Sequence, residues 1–258
     1  MSRRAMIAVA VVVALLGGRL LVSRAIRPVA AARYSAEPVA SGASASPSHT
    51  MTSRARSENA AESRTGSPQP AAVQAEGGVT DVDPHKAFGS KNAPITMEVF
   101  SDFQCPACKT LFLTTNRQLM ENYVTTGKVY LIHRDFPLPM HAYSRVAARY
   151  ARAAAQIGKF EPVEQVLFQN QEKWEQTGDV DGTVATVLSP AEMVKVRALV
   201  KGGTLDAGID KDTALGQMYR VNQTPTTIFH SNGQTYPFSG VMSYDMLKQF
   251  LDQLLGQK

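Results

Sequence analysis

The fold is decided by one stretch of sequence, Ile95-Thr96-Met97-Glu98-Val99-Phe100-Ser101-Asp102-Phe103-Gln104-Cys105-Pro106-Ala107-Cys108. Its first six residues are largely apolar and lie between a proline and a serine–aspartate pair, which predicts a short buried strand. Apolar side chains at helical spacing continue after the cysteines, from Lys109 to Tyr123. The pattern therefore predicts a strand that leads through a short loop into a helix with two cysteines at its start.

The elements that follow this stretch have a definite order. Apolar residues at 129–133 predict a second strand, and the region at about 140–220 has helical periodicity. Residues 226–238 contain two strand-like runs around an Asn-Gly turn and predict a hairpin, and an amphipathic helix is predicted at about 243–255. This order predicts an α/β fold with a mixed sheet and an inserted helical subdomain.

The charge of the chain is concentrated outside the predicted domain. The formal net charge is +5, but residues 1–76 carry nine arginines, no lysine and four glutamates, which accounts for all of it. The remaining 182 residues carry 18 basic and 18 acidic side chains. A nucleic-acid-binding domain has its basic residues on the folded part of the chain. This class of protein is therefore disfavoured, and we expect no nucleic-acid partner.

The chain has only two cysteines, three positions apart, and five scattered histidines. A zinc site usually needs about four ligands with a second Cys or His pair at motif spacing, and a disulfide framework needs further cysteines. We therefore expect no metal site and no cofactor. The two interpretations that remain are a redox-active pair and a pair of small apolar core residues.

A redox-active pair at this position has a physical rationale. Disulfide exchange needs a thiolate, and the ordinary pKa of a cysteine thiol is about 8.5. Unpaired N–H groups and the positive end of the helix dipole stabilise an anion at a helix N-terminus. Pro106 suits the first helical position because its missing N–H is not needed there. We therefore predict that Cys105 is an exposed nucleophile of low pKa and that Cys108, one turn further on, attacks the mixed disulfide.

Two segments resemble those of a known family. The run from Phe100 to Cys108 resembles the active-site segment of the DsbA-like thiol–disulfide oxidoreductases, and Val221-Asn222-Gln223-Thr224-Pro225-Thr226-Thr227 resembles their second active-site loop. The resemblance extends from about Asp83 to the C-terminus and implies a thioredoxin-like fold. It also implies a cis Thr224–Pro225 bond beside the cysteines, in a loop that binds an extended substrate strand through its backbone.

Two positions depart from the family's pattern. Many thioredoxin-fold enzymes have a buried Asp or Glu six residues before the first cysteine, where it helps protons to move, but this chain has Val99. Side chains alternate along a strand, so we expect the neighbouring Glu98 to face away from Cys108. The strongly oxidising DsbA motif has His at the position of Ala107. We therefore predict a weaker oxidant, in which the pKa of Cys105 is not below about 4.

Other polar residues around the motif have a structural interpretation. Asp102 and Gln104 are expected to be capping or solvated residues, with tuning of the thiolate as the alternative. His133, on the second predicted strand, is expected to be structural, and Trp174 is expected to pack inside the inserted subdomain. His141, at the start of the helical region, is a histidine that could approach the active-site face.

The N-terminal third is predicted to direct the protein to export or to the membrane and to join that segment to the domain through a linker. An apolar run follows two arginines, so residues 1–34 are predicted to form a signal peptide or a membrane anchor. Residues 35–82 are rich in Ser, Ala, Pro and Gly and are predicted to be a disordered linker before the domain at 83–258. Four arginines after the apolar run oppose export by the positive-inside rule. Disulfide chemistry nevertheless favours export, because disulfides persist in oxidising compartments.

Together these features predict a thiol–disulfide oxidoreductase, and we favour a dithiol oxidase that introduces disulfides into exported proteins. Its expected partners are unfolded or thiol-containing exported proteins and, by family inference, a membrane quinone-linked protein that reoxidises it. We expect a monomer in the periplasm or another extracytoplasmic space. The alternatives are a disulfide reductase or isomerase, and a non-catalytic peptide-binding module. The direction of electron flow depends on the reduction potential, which the sequence does not determine.

Overall fold

A computed structural model describes residues 73–74 and 79–257. In this part of the chain the strands are β1 (Val73–Gln74), β2 (Ala87–Phe88), β3 (Ile95–Ser101), β4 (Val129–Asp135), β5 (Thr226–Ser231) and β6 (Gln234–Ser239). They form one sheet in the spatial order β1-β6-β5-β3-β4-β2. β3 and β4 are parallel, and the other neighbouring pairs are antiparallel. The sheet is therefore mixed, as predicted.

The two parallel strands, β3 and β4, are buried on both faces. Every residue of β4 is buried, and so are five of the seven residues of β3. On one face of β3, Met97 belongs to a core cluster that includes Phe229 of β5. On the other face, Phe100 packs with Ile228 and Phe136. Because side chains alternate along a strand, β3 contributes to two separate cores and separates them.

The described helices fall into three groups. α1 (Pro106–Leu111) continues through a π-helical turn (Phe112–Asn116), α2 (Arg117–Leu119) and a second π-helical turn (Met120–Val124). Between β4 and β5 lie α3 (Ser144–Gln156), α4 (Phe160–Gln169), α5 (Gln171–Thr177), α6 (Val180–Val184), α7 (Pro190–Lys201) and α8 (Asp206–Met218). α9 (Tyr244–Gly256) follows the β5–β6 hairpin. The inserted block, α3 to α8, lies where the sequence predicts helical periodicity.

The inserted block has a core of its own. Ala147, Ala151 and Ala154 line one side of α3 and are completely buried, and small side chains at this spacing allow other helices to pack closely. Trp174 is also completely buried, and its indole N–H donates to the carbonyl of Leu167 at 2.7 Å. The tryptophan therefore packs inside the block, as predicted.

A network of buried charges joins the inserted block to the sheet. Three cations and three carboxylates alternate in it, namely Lys86, Arg134, Arg152, Glu98, Asp135 and Asp212. Arg134 donates to Glu98 at 2.6 Å and to Asp212 at 3.0 Å. Each carboxylate has a cationic partner, which offsets part of the cost of removing these charges from water. The network connects β3 and β4 with α3 and α8.

Part of the predicted linker belongs to this fold. Val73–Gln74 pairs with β6 as an edge strand, and the carbonyls of Thr80 and Asp81 accept hydrogen bonds from Arg134. These contacts lie within residues 35–82, and the boundary between linker and domain at residue 82 stays a prediction. The predicted signal peptide or anchor (1–34) and most of the linker lie outside the described residues. Among those described, no helix is long and apolar enough to cross a membrane.

Candidate active site

The two cysteines lie where β3 leads into α1. Cys105 is the residue that precedes the helix, with an extended backbone (φ −75°, ψ 120°), and Pro106 is the first helical residue. The Cys105 amide donates to the Asp102 carbonyl at 3.1 Å, and the Cys105 carbonyl accepts from the Lys109 amide at 3.1 Å. Cys105 is therefore placed at a helix N-terminus, where its thiolate is stabilised.

Cys105 is more buried than the sequence suggests. Only 7% of its surface is exposed, and only 2% of that of Cys108. The Cys105 sulfur lies 3.2 Å from the carbonyl oxygen of Thr224, and the Thr224–Pro225 peptide bond is cis. The prediction of an exposed Cys105 is wrong because a loop 119 residues further along the chain covers the sulfur. The structure thus brings Cys105, Cys108 and the Thr224–Pro225 loop together.

The Thr224 side chain adds a second contact to Cys105 when the thiol ionises. Its hydroxyl oxygen is buried and has no hydrogen-bond partner within the described residues. A hydroxyl can rotate to donate its hydrogen to an anion, and the Thr224 side chain contributes to lowering the pKa of Cys105. The loop therefore accepts from the Cys105 thiol through the Thr224 carbonyl and offers a donor to the thiolate through the hydroxyl.

The two thiols differ strongly in acid strength. The pKa of Cys105 is lowered from 9.0 to about 5, chiefly by the hydrogen bond from the Cys108 thiol. Burial opposes this shift, whereas the Thr224 side chain and the backbone N–H groups of Cys108 and Ala107 reinforce it. Burial raises the pKa of the Cys108 thiol well above its ordinary value. At pH 7 a thiol with a pKa of 5 is about 99% ionised, so the site holds one thiolate and one neutral thiol.

The loop before Cys105 is held by the side chain of Asp102. This buried carboxylate accepts from the amides of Gln104 and Leu138, each at 2.7 Å, and lies 2.8 Å from the His141 ring. The Asp102 amide in turn donates to the Cys108 sulfur at 3.5 Å. Contrary to the expectation from the sequence, Asp102 is therefore neither solvated nor a cap of α1 but a buried residue that holds two loop amides, and His141 does approach this face of the domain.

Gln171 is a positioning residue that the sequence does not reveal. Its buried side-chain amide donates to the carbonyls of Phe103 at 2.7 Å and of Cys105 at 3.1 Å. Gln171 lies in the inserted block, 66 residues from Cys105. No local sequence pattern connects a glutamine at the start of α5 with the active-site loop.

Glu98 faces away from the cysteines, as expected from strand alternation. Its carboxylate pairs with Arg134 and, at 2.8 Å, with the His230 ring. Val99 faces the side of Cys108, and both residues line the same cavity. A buried carboxylate is nevertheless present on that side, because Glu164 lines the cavity too. Glu164 is a second residue that the sequence does not single out.

No arrangement of three or more His, Cys, Asp or Glu side chains suited to a metal ion occurs in the part of the chain that the structure describes.

Comparisons with known proteins agree with this geometry. The sequence model of the thioredoxin family matches residues 81–253. The probable disulfide bond formation protein D of Bacillus cereus is 25% identical over 176 residues, which cover 66% of this chain and 78% of that protein. The crystal structure of DsbA2 from Pseudomonas aeruginosa is similar with a TM-score of 0.57 and 21% identity, over 70% of this chain and 98% of that one. The crystal structure of oxidised BdbD from Bacillus subtilis is similar with a TM-score of 0.56 and 21% identity, over 66% of this chain and 92% of that one.

The matched region contains both cysteines and the Thr224–Pro225 loop, and it spans about two thirds of the chain. The chain therefore belongs to the thioredoxin family. The likeness to DsbA2 and BdbD shows that the chain shares their fold.

Proposed function

We propose that the protein is a dithiol oxidase that introduces disulfide bonds into exported proteins through Cys105 and Cys108. A substrate thiolate attacks the Cys105 sulfur of the oxidised pair, breaks its bond to Cys108 and forms a mixed disulfide. The second substrate thiol, after losing its proton, attacks the substrate sulfur of that mixed disulfide, and Cys105 leaves as a thiolate. The substrate is oxidised to a disulfide, and the enzyme pair takes up two electrons.

The observation that carries this proposal is the low pKa of Cys105. Stabilising the thiolate stabilises the reduced enzyme relative to its disulfide, which raises the reduction potential and makes the pair a stronger oxidant. A thiolate of low pKa is also a good leaving group, so the mixed disulfide at Cys105 is readily displaced. Both effects favour electron flow from the substrate to the enzyme.

The size of the effect follows from the pKa. At pH 7 a fall from 9.0 to about 5 favours the reduced form by about 100-fold, which corresponds to about 60 mV for a two-electron couple. Thioredoxin has a pKa near 7 and a potential of about −270 mV. Relative to it, a pKa of about 5 favours the reduced form by about 50-fold, which raises the reduction potential by about 50 mV. The thiolate thus accounts for only part of the difference of about 150 mV between thioredoxin and DsbA. The presence of Ala107 where DsbA has His likewise predicts a weaker oxidant than DsbA.

Thr224 and Pro225 are proposed to bind the substrate. The Thr224 carbonyl lies against the Cys105 sulfur, and the Pro225 carbonyl accepts a hydrogen bond from Gly240 at 2.8 Å, which anchors the loop beside the β5–β6 hairpin. An extended segment that pairs with the backbone of Thr224 places its thiol next to Cys105. Unfolded, thiol-containing proteins can present such a segment. Pro106 and Ala107 modulate the site, Pro106 by starting the helix and Ala107 through its backbone N–H.

Each cycle leaves the two cysteines reduced, so a partner has to remove two electrons. We assign this role to a membrane quinone-linked protein. We place the enzyme, as a monomer, in the periplasm or another extracytoplasmic space, where disulfides persist. The apolar segment within residues 1–34 either directs export and is removed or anchors the protein to the inner membrane.

The test is the reduction potential of the purified protein. The protein is equilibrated at pH 7 with mixtures of reduced and oxidised glutathione, the thiols are trapped by alkylation, and the reduced fraction is read from the mass shift. We expect a potential between about −200 and −120 mV, more oxidising than that of the glutaredoxins. A value near −270 mV contradicts the oxidase and assigns a reductase.

Two variants separate the oxidase from a non-catalytic module. Cys105→Ser removes the nucleophile and is expected to abolish oxidation of a reduced, unfolded protein. Cys108→Ser keeps the nucleophile and, when mixed with a disulfide-bonded protein, is expected to accumulate the mixed disulfide at Cys105, with the other sulfur of the substrate disulfide released as a thiolate. A Cys105→Ser protein with full biological activity supports a peptide-binding module instead.

A further inference from the structure

A small, partly open cavity lies behind the active-site helix. Its volume is about 30 Å³, and its wall includes Cys108, Val99, His133 and Glu164. A cavity of this size can admit one water molecule. Among the described residues that line it, Cys108, His133 and Glu164 carry the titratable side chains.

His133 and Glu164 form a buried pair in the wall of this cavity. The His133 Nδ1 and Glu164 Oε1 atoms lie 2.8 Å apart, and the two side chains are 9% and 5% exposed. His133 is aligned with Val99 on the neighbouring parallel strand, whereas Glu164 comes from α4 of the inserted block. The carboxylate that position 99 lacks is therefore supplied to the same cavity by another element.

Cys108 needs a proton acceptor that solvent does not directly provide. Its sulfur is almost completely buried, and burial keeps it in the neutral thiol form at neutral pH. When Cys105 is bonded to a substrate sulfur, it has no thiolate with which to accept the proton. The Asp102 amide points a donor at the Cys108 sulfur, so it cannot accept the proton either. Among the residues that line the cavity, His133 and Glu164 have the side chains that can accept a proton from Cys108.

The His133–Glu164 pair also reaches the surface. Both residues line a larger groove of about 430 Å³ on the side of the pair away from the active-site thiols. The charged side chains that face this groove together with the pair are Arg117, Glu121 and Glu161. A proton that enters the pair from the cavity can therefore leave to solvent through the groove.

We propose that the His133–Glu164 pair is the proton carrier of Cys108. The pair has the role that a buried Asp or Glu plays in many thioredoxin-fold enzymes, at the position where this chain has Val99. This inference rests on the proposed disulfide exchange. When Cys108 attacks a mixed disulfide, its proton passes through the cavity to the pair. The Cys105–Cys108 bond forms, the bond from Cys105 to the substrate sulfur breaks, and the substrate leaves as a thiolate. In the opposite direction Cys108 leaves as a thiolate and receives the proton from the pair.

The test follows one turnover of the reduced protein with oxidised glutathione. Cys105 attacks glutathione disulfide and forms a mixed disulfide, which Cys108 then resolves with release of a second reduced glutathione. Acid quenching and mass spectrometry give the lifetime of the mixed disulfide between pH 5 and 9. Alkylation of Cys105 by iodoacetamide measures the nucleophile separately.

Glu164→Gln keeps the shape and the hydrogen bond of the side chain but removes its charge. We expect it to prolong the lifetime of the mixed disulfide by about 10- to 100-fold at pH 7, the scale of general acid–base catalysis. The deficit is expected to narrow as the pH rises, because Cys108 then ionises without the carrier. The alkylation rate of Cys105 is expected to stay within about twofold, since proton transfer from Cys108 takes no part in alkylation. His133→Gln is expected to behave in the same way and serves if Glu164→Gln does not fold.

Glu161→Gln is the matched control, because Glu161 lies on the same helix and faces the groove but not the cavity. It is expected to resolve the mixed disulfide at the wild-type rate. A folded Glu164→Gln or His133→Gln protein with a wild-type lifetime at pH 7 overturns the inference. So does a deficit that is the same at every pH, which is the mark of a purely structural role. If the wild-type protein itself neither forms nor resolves the mixed disulfide, the proposed function fails instead.

Discussion

The hydrogen bond between the two thiols can be tested by changing Cys108 alone. It is the largest cause of the low pKa of Cys105. Cys108→Ala removes the donor, whereas Cys108→Ser retains one in the same place. Either variant leaves Cys105 as the single cysteine of the chain, so its titration is free of the second thiol.

The expected shift follows from the strength of such a bond. A hydrogen bond to a charged group contributes about 1.5–3 kcal/mol, and one pKa unit corresponds to about 1.4 kcal/mol. Cys108→Ala should therefore raise the pKa of Cys105 from about 5 to about 6–7. At pH 6 the thiolate fraction falls from about 90% to between about 50% and 10%. Cys108→Ser should stay close to the wild-type value.

The assay is a pH titration of Cys105 in both variants. The ultraviolet absorbance of the thiolate gives the pKa directly, and the rate of alkylation by iodoacetamide against pH gives it independently. Thermal unfolding of both variants shows whether the substitution disturbs the fold. A pKa near 5 in Cys108→Ala as well as in Cys108→Ser would refute the reasoning, because the helix N-terminus and Thr224 would then account for the low pKa without the second thiol.

Two further predictions concern stability. Because the pKa of Cys105 is lowered to about 5 on folding, the reduced protein gains stability above pH 5 and loses that gain as the pH falls to 5. Relative to Cys105→Ser, its free energy of unfolding should rise by about 1.4 kcal/mol per pH unit between pH 5 and 9; a pH-independent difference in urea unfolding would count against the low pKa. Glu98→Gln leaves Arg134 buried with one carboxylate fewer and should cost about 3 kcal/mol in the same urea assay. The control Glu121→Gln breaks only an exposed pair with Arg117 and should change little, so equal effects of the two would contradict a stabilising role for the buried network.

The elements that the sequence predicts well are those set by nearby residues. The apolar run of β3, the helix that begins at Pro106 and the hairpin after Pro225 all depend on periodicity or turn residues within a few positions. The position of Cys105 at a helix N-terminus depends on the same short stretch. The sequence alone therefore predicts the part of the stabilisation that comes from the backbone N–H groups at the helix start, which is smaller than that from the Cys108 thiol.

The features that the sequence does not reveal depend on contacts between distant parts of the chain. The burial of Cys105 under Thr224 joins residues 119 positions apart. Gln171 reaches the Cys105 carbonyl from the inserted block, and Glu164 meets His133 in the wall of the cavity. The sequence shows that position 99 holds a valine instead of an acid, but not that a helix of the inserted block brings a carboxylate to the same cavity.

The sequence by itself thus determines which thiol is the nucleophile, because a helix N-terminus is a local structure that stabilises an anion wherever it occurs. Only the tertiary structure decides what surrounds that thiol. The inserted block and the Thr224–Pro225 loop are brought against α1 by long-range packing, and these contacts decide how deeply Cys105 and Cys108 are buried. Since burial and hydrogen bonds shift the two pKa values in opposite directions, the acid strengths of the two thiols are a property of the folded domain.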